Sequence, residues 1–298
     1  MADASLKQKI DSGQFIAAPG VFDMMSLLMV EKIGFDAVYA SGYWNVASDQ
    51  GIPDAGLATY TDFVNRFAKM VKKSSAPVIA DADTGFGGLI NLAHTVRGYE
   101  EAGISAMQIE DQEFPKKCGH TPHRIVIPIE DMVNKIKVAI DTRASDDFLI
   151  IARTDARTGY GFDEAMRRMD AYAEAGADIL FFESPESPEE MASFCSAIDK
   201  PCVANMSNGG RTPMLSVDEL KQVGYAMAIY PAMAPLVMLE AIEKSYRTLK
   251  SEGVCETENI PMYEFKQFCS DIGFDQIHAF EKKWGATTNA PNNYARFA

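Results

Sequence analysis

The chain has 298 residues, 47% of them hydrophobic, which is enough for one large α/β domain or two ordinary ones with sizeable cores. Its formal net charge of -14 argues against a nucleic-acid partner, because binding the phosphate backbone needs clustered Lys and Arg side chains. An anionic small molecule stays compatible with this charge, because a bound cation or a few local arginines can reverse the sign inside a pocket.

The sequence shows no sign of a secreted or membrane protein. No uncharged apolar run reaches about 18 residues, the length that a membrane span needs. The first residues contain no apolar signal-peptide core. The 5 cysteines lack CxxC spacing, which predicts neither a zinc site nor a disulfide framework. We therefore expect a cytoplasmic protein that binds no nucleic acid and no membrane.

Short β-prone runs alternate with helical patterns along most of the chain. The predicted strands are 15–21, 37–42, 77–83, 106–111, 148–155, 178–183, 201–205 and 225–230. The predicted helices are 24–32, 61–72, 91–102, 129–142, 162–175, 188–198 and 217–223. This alternation predicts a closed parallel (β/α)8 barrel of the TIM type. A doubly wound open sheet is the alternative, which the lack of a Gly-rich dinucleotide turn disfavours.

Helical patterns continue beyond the last predicted strand, at 234–257 and at 261–283. They predict extra C-terminal helices, and the residues after them predict a loosely ordered tail. We therefore divide the chain into a catalytic barrel domain, residues 1–256, and a C-terminal helical extension with its tail, residues 257–298.

Carboxylates follow two neighbouring strands at the end where barrel enzymes carry their catalytic groups. Asp81 and Asp83 are two residues apart, so their side chains point to the same side, and Glu110 ends the next strand. An all-oxygen set of this kind suits a hard cation that keeps several waters, which predicts Mg²⁺, with Mn²⁺ as an alternative. A pair of aspartates alone is weak evidence, because structural and capping roles explain most such pairs.

A long polar loop, residues 112–126, follows strand 4 and contains the run Lys116-Lys117-Cys118-Gly119-His120. The neighbouring basic side chains favour the thiolate of Cys118, which could then transfer a proton to a carbanion-like centre. The loop is also long enough to act as a lid that excludes water. On composition alone, a solvent-exposed cysteine among surface charges is the better explanation.

Seven segments resemble the isocitrate lyase/phosphoenolpyruvate mutase superfamily, in its methylisocitrate lyase and 2,3-dimethylmalate lyase branch. They are APGVFD (18–23), YASG (39–42), ADADTGFG (80–87), IEDQ (109–112), KKCGH (116–120), ARTDA (152–156) and ANM (204–206). The similarity covers residues 15–253. The cysteine-containing loop is quite specific to the C–C lyases and hydrolases of this superfamily, so the resemblance favours a catalytic Cys118.

The resemblance implies a role for each matching position. Tyr39 is similar to a proposed base for the 2-hydroxyl group, Cys118 to the general acid and Arg153 to the arginine that clamps the carboxylate, and His120 belongs to the same catalytic loop. The implied metal ligands, direct or through water, are Asp81, Asp83, Glu110 and Asp54. The implied substrate-binding residues are Ser41, Gly42, Tyr43, Gly119, Arg153, Glu183, Asn205 and Ser207.

The implied activity is that of a carbon–carbon lyase, which splits a 2-hydroxy acid into a 2-oxo acid such as pyruvate and a carboxylic acid. Leu236 stands where methylisocitrate lyases carry an arginine, and Gln108 where they carry a histidine. We therefore expect a dicarboxylate such as 2,3-dimethylmalate. Arg211 is a possible substitute for the missing arginine, which keeps 2-methylisocitrate as an alternative.

Two other functions are compatible with these residues. One is a hydrolase that uses the same site on an oxaloacetate-type substrate. The other, from a different class, is a barrel that binds a metabolite without catalysis, which the combination of Asp81, Asp83, Arg153 and Cys118 disfavours. The resemblance also implies a homotetramer that exchanges its C-terminal helices between subunits.

Overall fold

The computed structural model describes residues 3–119, 121, 124–255 and 260–285. His120, which the resemblance places in the catalytic loop, lies outside the described residues. The chain divides into two compact units, residues 1–242 and residues 243–298. The domain boundary after residue 256 stays a prediction.

The first unit contains a closed barrel of eight parallel strands, in which each strand pairs with the next and β8 pairs with β1. The predicted (β/α)8 fold is therefore confirmed. The strands are β1 (Ile16–Val21), β2 (Val38–Ala40), β3 (Val78–Asp81), β4 (Ala106–Glu110), β5 (Leu149–Thr154), β6 (Ile179–Phe182), β7 (Cys202–Asn205) and β8 (Met227–Tyr230).

Helices alternate with these strands. They are α1 (Ser5–Asp11), α2 (Met24–Ile33), α3 (Gly42–Gln50), α4 (Tyr60–Val71), α5 (Leu89–Glu101), α6 (Ile129–Thr142), α7 (Ala156–Tyr160), α8 (Phe162–Glu174), α9 (Pro188–Ala197) and α10 (Val217–Val223). Past the barrel come α11 (Met233–Glu252), α12 (Phe265–Asp271) and α13 (Phe274–Trp284). None of the helices in the described ranges is long and apolar enough to span a membrane.

Side chains alternate between two layers along each strand. Ile79 and Ile151 belong to the cluster of buried apolar residues that fills the barrel, whereas Ala152 packs in the cluster beneath the helices. Two residues farther along the same strands come Asp81 and Arg153, which therefore face inward as well. The barrel interior is apolar along most of its length and becomes polar at the C-terminal ends of the strands.

Asp111 shows what lies on the opposite layer. It follows the inward-facing Glu110 and turns outward, where its carboxylate accepts hydrogen bonds from Thr154 Oγ1 (2.6 Å), Tyr172 OH (2.8 Å) and Arg168 Nη1 (3.1 Å). Its side chain is fully buried. This acidic side chain therefore joins β4 and β5 to α8, and has no part in the cavity described next.

Candidate active site

A cavity of ≈ 320 Å³ opens at the C-terminal ends of the strands. It is lined by most of the residues that the sequence predicts for the site: Tyr39, Ser41, Tyr43, Asp54, Asp81, Glu110, Cys118, Gly119, Arg153, Asn205 and Ser207. Further lining residues were not among the predicted site residues: Trp44, Lys116, Thr121, Asn208, Gly209, Ile229, Pro231, Ala232 and Leu236. Four predicted residues contribute no lining: Gly42, Asp83, Glu183 and Arg211.

Asp81 is held in a fixed orientation at the end of β3. The Gly42 N–H donates to its Oδ2 (3.1 Å) and the Asp83 N–H to its Oδ1 (3.0 Å). A Cβ atom on Gly42 would lie 2.8 Å from Asp81 Oδ2, so glycine is needed for this approach. Gly42 thus positions Asp81, whereas the sequence predicts that it binds substrate.

Asp83 turns away from the cavity and pairs with Lys116. Its φ of 47° places it in the left-handed region. The Lys116 ammonium lies 2.8 Å from Asp83 Oδ1 and 2.5 Å from Asp54 Oδ1, and only 3% of its side chain is exposed. Burial, with the neighbouring Asp81 and Asp54, raises the pKa of Asp83 to about 7 although Lys116 lowers it. Lys116 therefore acts as the internal counter-ion of this corner.

The carboxylates at this corner carry a surplus of negative charge. Burial raises the pKa of Glu110 well above its ordinary value, against the lowering effect of Arg153 and Lys116. A divalent cation would offset such repulsion. Among the described residues, no three His, Cys, Asp or Glu side chains are gathered so that they could hold an ion by themselves. Carboxylate oxygens are the ligands that Mg²⁺ prefers, and those of Asp54, Asp81 and Glu110 line this corner, so their chemistry is compatible with a hydrated Mg²⁺ ion.

Arg153 forms a two-pronged bridge with Asp155. Its Nε donates to Asp155 Oδ2 (2.9 Å) and its Nη2 to Oδ1 (2.9 Å). Glu183 and Glu110 lie 3.4 and 3.5 Å from the guanidinium, which also stacks over the Phe181 ring at 5.0 Å. These acidic neighbours raise the pKa of Arg153 further, against the effect of burial, so the cavity contains a permanent, well-oriented cation.

Tyr39 lines the cavity with its hydroxyl group engaged. The hydroxyl donates to Gln108 Oε1 (2.8 Å), and Gln108 Nε2 in turn donates to Asp81 Oδ1 (3.4 Å). Burial and the nearby Asp81 raise the pKa of Tyr39 well above its ordinary value. The phenol is therefore a hydrogen-bond donor, and this environment works against the role of base that the resemblance implies.

The loop that carries Cys118 lies over the mouth of the cavity. An antiparallel bridge between Gln112 and Val126 closes its base. Gln112 Nε2 donates to Glu110 Oε1 (2.9 Å) and to the Lys117 carbonyl (2.8 Å), which ties the loop to the carboxylate corner. Cys118 is half-buried and lines the cavity. The loop thus presents a thiol to any ligand bound beneath it.

Four polar residues lie around the ends of β6 and β7. Asn205 Nδ2 donates to Glu183 Oε2 (3.0 Å), and the Ser184 hydroxyl donates to Glu183 Oε1 (2.9 Å). Glu183 therefore lies behind the wall and orients Asn205. The buried Asn205 Oδ1 has no hydrogen-bond partner among the described residues, so it is available to a ligand. Ser207 adds a buried hydroxyl group to the same wall.

Another part of the cavity wall is apolar. It includes Leu236, together with Trp44, Pro231 and Ala232. The prediction that Arg211 replaces an arginine here was wrong: Arg211 is half-exposed and pairs with Glu186 at 3.2 Å, outside the cavity. The turn at 207–210, where the Gly210 N–H donates to the Ser207 carbonyl, carries the chain away from the cavity before Arg211.

Sequence reasoning missed two charged residues that organise the site. Lys116 was interpreted only through its effect on the thiol of Cys118, although it is the counter-ion of Asp54 and Asp83. Asp155 belongs to the matching segment ARTDA (152–156), to which the sequence assigns a role only at Arg153, although Asp155 holds that arginine. Each stands two residues from a predicted catalytic group, and this spacing was the available signal.

The comparisons with known proteins agree with this geometry. Residues 6–250 match the family model described as phosphoenolpyruvate phosphomutase. The chain is 44% identical to 2,3-dimethylmalate lyase of Eubacterium barkeri, over 94% of this chain and 97% of that protein. It is 39% identical to 2-methylisocitrate lyase of Aeropyrum pernix, over 93% and 88%. A solved structure of oxaloacetate acetylhydrolase with the inhibitor 3,3-difluorooxalacetate gives a TM-score of 0.88 at 28% identity, over 94% and 96%.

Proposed function

Since the chain belongs to the phosphoenolpyruvate phosphomutase family, within the phosphoenolpyruvate mutase/isocitrate lyase superfamily, we propose that it is a lyase that breaks the C2–C3 bond of a small 2-hydroxy dicarboxylate. The favoured substrate is 2,3-dimethylmalate, whose cleavage yields pyruvate and propionate. The relative named 2,3-dimethylmalate lyase, at 44% identity, supports this choice.

One observation carries the proposal: Arg153, Cys118 and Leu236 line the same cavity. Arg153 supplies the cation that a substrate carboxylate needs, and Cys118 supplies a proton donor. Leu236 makes the far wall apolar, where the third carboxylate of 2-methylisocitrate would have no cationic partner. Since burying an unpaired carboxylate is costly, the wall favours a dicarboxylate with an alkyl group.

The residues of the cavity have distinct roles in binding and in proton transfer. Arg153 binds and orients the carboxylate of the 2-hydroxy acid, and the hydroxyl group of Ser41 completes that contact. As the C2–C3 bond breaks, the proton of the 2-hydroxyl group passes to a carboxylate of the corner, where Asp81 and Glu110 line the cavity. The bonding electron pair stays on the former C3, and the Cys118 thiol gives its proton to that carbon. The loop above excludes water, so that the carbanion-like fragment is protonated by Cys118 alone. The role of base for the 2-hydroxyl group, which the resemblance implies for Tyr39, has the weakest support, because burial keeps its phenol protonated.

As the cofactor we propose Mg²⁺, with Mn²⁺ as the alternative. Asp81 would bind it directly or through water, and Asp54 and Glu110, which line the same corner, would hold its waters. Asp83 would act through Lys116 and through its backbone contact with Asp81. Such an ion compensates charge on the substrate oxygen atoms during bond cleavage.

A hydrolase that acts on oxaloacetate is the second candidate, and the likeness to oxaloacetate acetylhydrolase favours it. It differs in the nucleophile, because water would attack the 2-oxo group of the substrate. A cavity that offers a thiol donor suits fragmentation of an alkoxide better, since fragmentation needs no bound water. Non-catalytic binding of a metabolite is the third and least supported possibility.

The assembly is proposed as a homotetramer with exchanged C-terminal helices. In the second unit, the described residues expose large apolar side chains, including Phe265 at 75% and Trp284 at 66%. Contiguous exposed apolar side chains of this kind usually mark an interaction surface. A cytoplasmic location is proposed as well, and the thiol form of all five cysteines is consistent with it.

A substrate panel tests the proposal. Purified protein is incubated with Mg²⁺ and with 2,3-dimethylmalate, 2-methylisocitrate or oxaloacetate, and the products are identified by NMR. Pyruvate and propionate from 2,3-dimethylmalate are the expected products. Oxalate and acetate from oxaloacetate, with no cleavage of the 2-hydroxy acids, would indicate the hydrolase instead, and no turnover of any substrate would leave only the binding role.

A further inference from the structure

We infer that Asp155 is a positioning residue, which aligns the Arg153 guanidinium and couples its orientation to the described parts of the loop, residues 112–119 and 124–126. Asp155 does not line the cavity, so it acts on the substrate only through Arg153. The kinetic part of the test below rests on the proposed function, whereas the part that follows the loop does not.

Asp155 engages the guanidinium at two points in one plane. Its Oδ2 accepts from Arg153 Nε (2.9 Å) and its Oδ1 from Nη2 (2.9 Å), and its side chain is fully buried. Two parallel charge-assisted hydrogen bonds fix the direction of a guanidinium as well as its distance. Because Nε and Nη2 of Arg153 donate to Asp155, Nη1 is the guanidinium nitrogen that can donate to a ligand.

The backbone of Asp155 is fixed from behind the barrel. The Asp155 N–H donates to Asp111 Oδ1 (2.9 Å), and the other oxygen of Asp111 is held by Arg168 and Tyr172 of α8. A chain of buried contacts therefore runs from α8 through β4 to the tip of β5. Asp155 transmits the rigidity of this packing to Arg153.

The loop of residues 112–126 meets the same bridge at two points. Arg124 Nη1 donates to Asp155 Oδ1 (2.8 Å), and Arg124 Nη2 donates to the Thr158 hydroxyl (2.6 Å). On the other side, a Cβ atom on Gly119 would lie 2.0 Å from Arg153 Nη2 and 3.3 Å from Asp155 Oδ1. Arg124 is therefore bonded to the Asp155 carboxylate, while the backbone of Gly119 packs closely against the Arg153 guanidinium that this carboxylate holds.

This arrangement makes the loop and the clamp parts of one unit. Arg153 is confined between Asp155 at its edge and the backbone of Gly119 above it. If the loop withdraws, Arg124 leaves Asp155 and Gly119 leaves Arg153 at the same time. Asp155 then keeps its bridge to Arg153 and its backbone contact with Asp111, but its carboxylate loses the hydrogen bond from Arg124, so the clamp is held less firmly when the loop is withdrawn.

The first test is Asp155→Asn, which keeps the shape and removes the charge. We expect kcat/KM for 2,3-dimethylmalate to fall about 100-fold, since misplacement of a binding group by about 1 Å can cost that much. Both a higher KM and a lower kcat should appear, because the clamp and the loop are affected together. The matched control is Arg143→Gln, which breaks another Arg–Asp pair, with Asp178, outside the cavity.

The second test is Arg124→Gln, which leaves the Arg153–Asp155 bridge intact. A loss of about ten-fold, mainly in kcat, is expected if the loop is held through Asp155. Arg124→Lys, which keeps the charge, should restore part of it. The double variant Arg124→Gln/Asp155→Asn should be no worse than Asp155→Asn alone, because residues that act as a unit are not additive.

The third test follows the loop without substrate. Amide hydrogen exchange of residues 112–119 should become faster in Arg124→Gln and Asp155→Asn and stay unchanged in Arg143→Gln. Unchanged exchange, or fully additive kinetic losses, would overturn the inference. If wild-type protein cleaves no substrate on the panel, the proposed function fails, while the exchange result still decides whether Asp155 holds the loop.

Discussion

Gly119 lies so close to Arg153 that a Cβ atom on Gly119 would stand 2.0 Å from Nη2 of the guanidinium. Gly119→Ala must therefore displace either the loop or the clamp. We expect kcat/KM to fall about 100-fold, with a change in unfolding free energy below about 1 kcal/mol, because the loop can move outward. Steady-state kinetics and urea unfolding measure the two quantities. Gly159→Ala is the control, since the nearest atom to its new Cβ would be 3.8 Å away; equal activity of the two variants would refute the contact.

Replacement of Cys118 tests the proton donor. Cys118 lines the cavity, and a hydroxyl group in its place is a far weaker acid than a thiol. Cys118→Ser should lose at least about 100-fold in kcat, the usual scale for a positioned general acid, while its melting temperature stays unchanged. Cys255→Ser, at an exposed position, should behave as wild type. Wild-type turnover in Cys118→Ser would remove the thiol from the mechanism.

The apolar wall predicts a switch of specificity. Leu236 lines the cavity and is 41% exposed, so an arginine there can reach the cavity without being fully buried. Leu236→Arg should lower kcat/KM for 2,3-dimethylmalate roughly ten-fold and raise it for 2-methylisocitrate, because the third carboxylate gains a partner. Leu239→Arg, on the same helix and 50% exposed, should change neither value. Parallel losses on both substrates in Leu236→Arg would speak against this wall as the specificity element.

Removal of divalent ions tests the cofactor. EDTA should abolish pyruvate release, and Mg²⁺ should restore it. A second readout needs no substrate: at about 100 times its dissociation constant, Mg²⁺ should stabilise the wild type by about 3 kcal/mol. Asp81→Asn should lose this stabilisation, whereas Asp218→Asn, on an exposed side chain, should keep it. Full activity in EDTA would exclude the proposed metal.

The buried Asp111 gives a prediction about stability alone. It accepts hydrogen bonds from Thr154, Tyr172 and Arg168, and Asp111→Ala would leave that arginine without its buried partner. We expect a loss of about 3–5 kcal/mol in the free energy of unfolding, measured with urea. Asp146→Ala, whose side chain is 84% exposed, should cost less than about 1 kcal/mol. Similar losses in both variants would mean that the buried network contributes little.

The fold and most of the cavity could be predicted from the sequence because strand geometry is simple. Successive side chains alternate, and parallel strands end on one side of the barrel, so Asp81, Glu110 and Arg153 had to converge there. The helices α1, α3 and α7 were not predicted, because their short sequences show no clear periodic apolar pattern.

What the sequence could not provide is the path of the loops. Lys116 and Arg211 are both basic residues in loops after strands, yet Lys116 lies buried among carboxylates while Arg211 pairs with Glu186 outside the cavity. Neither outcome follows from periodicity, since loops lack a repeating geometry. Asp83 shows the same limit: it shares a side with Asp81 in an ideal strand, but the chain leaves the strand at Asp81 and turns into the left-handed region.

The alternation that places the reactive groups inside the barrel also makes them pack directly on its hydrophobic interior. Ile79 lies directly below Asp81, Ile151 below Arg153 and Val203 below Asn205, all within one tightly filled stack. A small packing defect in that stack would tilt the groups above it. It would lower kcat before it measurably lowered the free energy of unfolding. Substitutions at Trp44 and Leu236, which line the cavity, leave this stack untouched, because neither side chain belongs to it.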